Sequence, residues 1–181
     1  MRSLWTSMPR GYKYKEKLFM PERIAAYIMM GGRLPRSRVP GLLKAIREAG
    51  VAHDWGECLF EPADADQLLT VMRGQHLWLC DEQASWGEFP ELEKACRTLA
   101  LGYMRHSDAG HEFDPEIAEW RLGMAKPIVR IASNCGTTTY TPTGDVKKAL
   151  KHLKAGQVAE AAKLLRRLCP NVPKLPSFKI V

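Results

Sequence analysis

The sequence predicts an α+β domain: a compact, mainly helical unit with a small sheet or β-hairpin and a C-terminal αα-hairpin. Three observations predict it. Long stretches repeat apolar residues at i, i+3 and i+4. Only a few short runs, such as "QHLWLC" and "PIVRIAS", read as strands. The last two periodic segments are separated by Gly156 alone, the pattern of two antiparallel helices. At 181 residues, 45% hydrophobic and 26% charged, the chain suits one soluble globular domain. Residues 1–19 read as a basic-aromatic arm and residues 20–181 as a single globular domain.

The first expected helix is "MPERIAAYIMMGG" (20–32). Pro21 suits its first position, Ile24, Tyr27 and Ile28 form its stripe, and Gly31-Gly32 end it. A second helix opens at Pro40, with Leu42, Ala45, Ile46 and Ala49 inward, Lys44 and Arg47 outward, and Gly50 as its cap. "ECLF" (57–60), "EPADADQLLTVMRG" (61–74) and "QHLWLC" (75–80) read as strand, helix, strand. That order fits a parallel βαβ crossover; a helix hairpin with a buried LWL turn is the alternative. "FPELEKACRTLALGYM" (89–104) is a helix with Leu92, Ala95, Cys96, Leu99 and Tyr103 on one face. "DPEIAEWRLGMA" (114–125) restarts helix, with Asp114 as N-cap and Pro115 at the first position. "PIVRIAS" (127–133) and "TTTYT" (137–141) make a hairpin about the "NCG" turn. "GDVKKALKHLKA" and "QVAEAAKLLRRL" are the closing helix pair. The Pro-rich tail can add an edge strand through Phe178, Ile180 and Val181.

The charge is divided into blocks. Residues 1–50 carry 11 Lys/Arg against 3 Asp/Glu (+8), residues 51–120 carry 4 against 15 (−11), and residues 121–181 carry 12 against 2 (+10). Two basic flanks therefore enclose an acidic middle. The run "IAAYIMM" is too short to span a bilayer, which needs about 20 residues, and no membrane partner is expected. Basic residues interrupt the N-terminus, so no signal peptide is expected. Five cysteines with no C-x-x-C pair argue against a zinc ribbon or a disulfide scaffold, and a reducing, cytoplasmic setting is expected.

Nucleic acid is the partner the charge favours. Lys147, Lys151 and Lys154 share one side of the first C-terminal helix, and Lys163, Arg166 and Arg167 repeat this on the second. Only Asp145 and Glu160 offset them. Cations placed on phosphates release condensed counterions, which drives binding at low salt. In "RGYKYK", Arg10, Lys13 and Lys15 would meet a backbone while Tyr12 and Tyr14 stack on unpaired bases. The loop "GGRLPRSRVPG" adds Arg33, Arg36 and Arg38, whose guanidinium forks suit phosphate. No base-reading motif is present, so mainly backbone contacts by a non-catalytic binding protein are expected. The solvated helix face is the plain alternative, although such faces usually mix signs.

The acidic middle supports a second reading: a small subunit, adaptor or inhibitor of a nucleoprotein complex. Trp86, with Glu88, Glu91 and Glu93 beside it, is the expected protein-binding anchor. A third reading is a metal-dependent nuclease. His106, Asp108 and His111 in "HSDAGHEFD" are the best metal candidates, though their spacing matches no known ligand set and a polar loop explains them as well. "HDWGE" and "CDE" add carboxylates near candidate strand ends. Cys135 in "SNCGT" is a turn cysteine with no visible activating group. No phosphate-loop, dinucleotide, zincin or hydrolase-elbow motif occurs, so no catalytic residue and no cofactor is assigned.

Overall fold

A computed structural model describes residues 21–111 and 113–181. Its centre is a seven-stranded sheet, which corrects the expected mainly helical domain with a small sheet. The largest change is the first element. Residues Arg23–Leu34 form a strand, β1, where a helix is expected. Ile24, Ala26, Ile28 and Met30 are buried, while Ala25, Tyr27 and Met29 between them are half-buried. That is a period of two. The run is apolar on both faces, so it also matches i, i+3, i+4, and periodicity alone does not separate the two. Its β-branched and aromatic residues favour the strand.

After β1 come a single 3-10 turn (Arg36–Arg38), α1 (Val39–Ala49), α2 (Ala65–Thr70), β2 (Met72–Arg73) and β3 (His76–Ser85). Then follow α3 (Pro90–Leu99), β4 (Gly102–Ser107), β5 (Glu116–Trp120) and β6 (Ile128–Ile131). The chain closes with α4 (Thr143–Lys154), α5 (Val158–Leu168) and β7 (Phe178–Ile180). The strand order is β2-β3-β1-β4-β5-β6, antiparallel throughout. β3, α3 and β4 form a split β-α-β unit, with β1 running antiparallel between its two strands. β1 extends past the ends of its ladders with β3 and β4, at Met30 and Gly31, and there pairs in parallel with β7.

Three further expectations are corrected. "ECLF" forms no strand, and β3 pairs antiparallel with β1 and β2, so the parallel βαβ unit is absent. The 114–125 helix is replaced by β5, because Ile117 alternates with Glu116 and Ala118 into the β4 and β6 ladders. The α3 helix ends at Leu99, where Ala100 turns left-handed at φ 58°; Tyr103 therefore belongs to β4. The "TTTYT" segment forms no strand and returns along its neighbour through an isolated Ala132–Thr139 bridge.

The even-numbered side of β1 packs under α1 and α3. Ile28, Met30, Leu77, Leu79 and Tyr103 meet Leu42, Ile46, Leu92 and Cys96 in one core. Arg105 lies buried on this same face. Its guanidinium meets Glu93 of α3 at 3.0 Å, Glu116 of β5 at 2.6 Å and the Gly87 carbonyl at 2.6 Å. One cation thus ties a helix, an edge-ward strand and the turn before α3.

The tail covers one end of the other face. The Nε–H of Arg121 donates to the Pro173 carbonyl (2.8 Å), and one of its terminal nitrogens donates to the Tyr103 carbonyl (2.6 Å). The chain then crosses the Gly31↔Gly102 pair on its way into β7. A Cβ on Gly31 would collide with the Pro176 carbonyl, and one on Gly102 would press on Leu175 at 3.1 Å. Glycine is required here for space.

Two stability outcomes follow from these contacts. Arg105→Met should destabilise the protein by roughly 3–5 kcal/mol in urea unfolding, since it leaves Glu93 and the Gly87 carbonyl without their cation. Gly31→Ala should cost about 1–3 kcal/mol by overpacking against the tail, and an unchanged urea midpoint would contradict the crossing.

Candidate nucleic-acid interface

Because side chains alternate along a strand, the odd-numbered residues of β1 face away from α1 and α3. Tyr27 is one of them. Register places it opposite Cys80 of β3 and His106 of β4, and diagonal to Trp78. Cross-strand neighbours of this kind touch, and two of the three carry aromatic rings. The Tyr27 and Trp78 rings stack at 5.7 Å with 26° between planes, and Tyr27 meets His106 at 5.2 Å. Trp55, from the loop before α2, sets its edge on Trp78 at 5.6 Å.

Arg73 completes the group from β2. Its guanidinium carbon sits 3.5 Å from the Trp78 ring centre, a close cation–π contact. Asp54 holds it there at 2.5 Å. The Trp55 backbone N–H, and then Arg73, keep the Asp54 carboxyl below the usual range.

These residues surround a cavity of about 400 Å³. Trp78 lies deep in it at 6% exposure, while Trp55 at 41% stands open to solvent. Asp108, Asn134 and Cys135 bring polar groups to the same space. The volume lies within the range of small-molecule pockets.

The 133–137 turn forms one side of the cavity. Gly136, at φ 67°, allows it to approach: a Cβ there would stand 2.8 Å from His106 Cδ2 and 3.0 Å from the Tyr27 hydroxyl. His106 Nε2 is 3.2 Å from the Ser133 carbonyl, so it donates there as an N–H. Burial, followed by the charges of Asp108 and Cys135, raises the Tyr27 pKa, so its hydroxyl stays protonated. Cys135 has the Ser133 hydroxyl at 3.3 Å and the Thr137 hydroxyl at 2.9 Å. These hydrogen bonds, Ser133 first, lower its pKa to about 7. Cys80 is raised by burial to about 12.

The basic residues expected to meet phosphate fall in two places. Arg33 is in parallel register with Lys179, and the Arg36 N–H bonds the Val181 carbonyl at 2.8 Å, so the two basic flanks meet at β1 and β7. Arg38 ends the adjoining turn. Lys147, Lys151, Lys154, Lys163, Arg166 and Arg167 are all exposed on α4 and α5, which pack against each other. Among the described residues, none of these cations pairs with a carboxylate. Arg10, Tyr12, Lys13, Tyr14 and Lys15 lie outside the described residues.

The acidic candidates divide. Glu93 is committed to Arg105 and to the Tyr103 hydroxyl, which donates to it at 2.8 Å. Glu91 is exposed on α3. Trp86 and Glu88 line a cleft of about 390 Å³ with Asp108, Phe113, Asp114 and Glu116. The three metal candidates do not converge. His106 is buried beside Tyr27, Asp108 stands 3.8 Å from its Nδ1, and His111 lies in the loop, where its backbone N–H bonds Glu22. Among the described residues, no cluster of three or more His, Cys, Asp or Glu is placed to hold a metal. No helix among them is long and apolar enough to cross a membrane.

Tyr27, Trp78 and Arg73 escape the sequence reading because Tyr27 is placed on a helix. The alternation in "AYIMM", matched with that in "HLWLC", is the signal that would have set the two rings on one face. No family model matches the chain, and neither does any curated protein or solved structure.

The Cys135 environment has a direct readout. Its alkylation rate by iodoacetamide should rise with a midpoint near pH 7 as the thiolate forms. Ser133→Ala should move that midpoint upward, because the thiolate loses its first hydrogen-bond donor.

Proposed function

We propose that the protein binds single-stranded nucleic acid, without catalysing a reaction on it. The ring array of Tyr27, Trp78 and Trp55 carries this reading: three aromatics and one guanidinium around a cavity of about 400 Å³. Stacking on such rings contributes about 1–3 kcal/mol per base and tolerates any sequence, because every base has a flat π face. It requires unpaired bases, since those of a duplex stack on each other. Phosphates then fall to the unpaired cations of α4, α5 and the Arg33–Lys179 pair. Asp54 does not oppose this, because Arg73 neutralises it.

A second reading rests on the cleft between Trp86 and Phe113, whose rings meet edge-on at 5.5 Å. Glu88, Asp108, Asp114 and Glu116 surround it, which suits a basic segment of a protein partner. In this reading the protein is a small subunit or adaptor of a nucleoprotein complex.

Tryptophan fluorescence titrated with a mixed-sequence single strand tests the first reading. Tight binding should weaken steeply as salt rises, and a matched duplex should bind less well. Trp55→Ala should lower affinity by about tenfold. Affinity that is flat with salt and indifferent to Trp55 would overturn the proposal. Under the second reading, Glu88→Lys abolishes capture of a Lys/Arg-rich peptide and leaves strand binding intact.

A further inference from the structure

Rings alone do not distinguish one base from another, but the cavity also holds Asp108 and Asn134. Asp108 follows directly on β4, and its backbone N–H donates to the Ala25 carbonyl at 2.9 Å, which fixes its place beside β1. Its side chain is 54% exposed, and its nearest oxygen is 3.8 Å from His106 Nδ1, beyond hydrogen-bonding distance. The carboxylate is near enough to Tyr27 to raise that hydroxyl's pKa. A carboxylate is thus presented at the side of a ring stack, with no side-chain hydrogen bond to it among the described residues.

A carboxylate accepts hydrogen bonds and donates none. The pairing edges of the bases differ in what they give it. Guanine offers two adjacent donors, N1–H and N2–H, which match the two oxygens of one carboxylate. Adenine and cytosine each offer a single amine beside a lone-pair nitrogen. Uracil and thymine offer one imide N–H between two carbonyls, and those carbonyls repel the anion. Asn134 adds an amide N–H, the donor that guanine O6 lacks from a carboxylate.

Resting on the ring-stacking reading above, we propose that Asp108 makes this cavity selective for guanine, with Asn134 supporting it at O6. Asp108 is then the specificity determinant of the site, and the aromatic rings supply base-independent affinity. The same chemistry applies to RNA and DNA, since the pairing edge of guanine is identical in both.

The test uses short oligouridylates carrying one central G, A, C or U, together with their deoxy counterparts, titrated against the full chain by tryptophan fluorescence. A bidentate pair should favour the central-G strand over the all-uracil strand by roughly tenfold or more. In Asp108→Asn that ratio should fall to about threefold or less, because the amide nitrogen opposes a guanine donor. Circular dichroism of the variant checks that the fold is kept. Equal binding of all four strands overturns guanine selection and leaves the stacking reading standing. Binding of none of them overturns both. A guanine preference that survives in the folded Asp108→Asn protein overturns the role of Asp108.

Discussion

The pleat of β1 is the constraint on which the molecule depends. The strand is central, paired along most of its length on both sides, so its residues have no freedom to slide. A shift of one residue would exchange every inward side chain for an outward one. Ala26, Ile28 and Met30 would leave the core under α1 and α3, and Tyr27 would enter it. The hydrophobic core and the aromatic cavity are therefore two consequences of one register. Burial of the aliphatic side holds Tyr27 in place on the ring side, where Asp54 and the 133–137 turn complete the cavity.

Charge inside the sheet is arranged by the same geometry. Arg105 and Arg121 are both buried, yet they have different tasks. Arg105 draws carboxylates from α3 and β5 together on the helix side. Arg121 collects backbone carbonyls and Glu119 where the tail returns, and burial lowers its pKa. Three of the acidic middle's carboxylates face buried cations, Glu93 and Glu116 meeting Arg105 and Glu119 meeting Arg121, while Asp54 holds Arg73 at the surface. The −11 block is less of a surface property than its sequence count implies. The basic C-terminal block is the reverse: apart from Arg121, Arg130 and Lys148, its cations have no carboxylate partner among the described residues.

Legibility followed the strength of each local signal. α1 with its Gly50 cap, and the α4 and α5 pair about Gly156, are readable because polar and apolar residues separate cleanly around a helix. β3 is readable because "HLWLC" has turn residues before it. β1 is not, because both of its faces are apolar and a doubly covered strand hides its period. β5 is misread for a different reason: Asp114-Pro115 imitates a helix start, and the ladder with β4 outweighs it. These two losses remove the sheet and, with it, the site. Tyr27 and Trp78 are separated by fifty residues of sequence, and only the β1–β3 register brings them together. The basic cations, by contrast, are legible from composition, since exposure is their default state.

β7 has a consequence for how the chain is made. It pairs with β1 across nearly the whole described sequence, Gly32 with Phe178. Contacts of such separation form late, because the loop they close is long. During synthesis, β1, β3 and β4 have left the ribosome well before the tail that crosses Gly31. The half-built sheet must wait with Gly32–Leu34 unpaired, an invitation to strand exchange between neighbouring nascent chains. The α4–α5 hairpin is translated during that interval and carries a strong positive charge. Mutual repulsion between such hairpins would keep the waiting chains apart until β7 arrives.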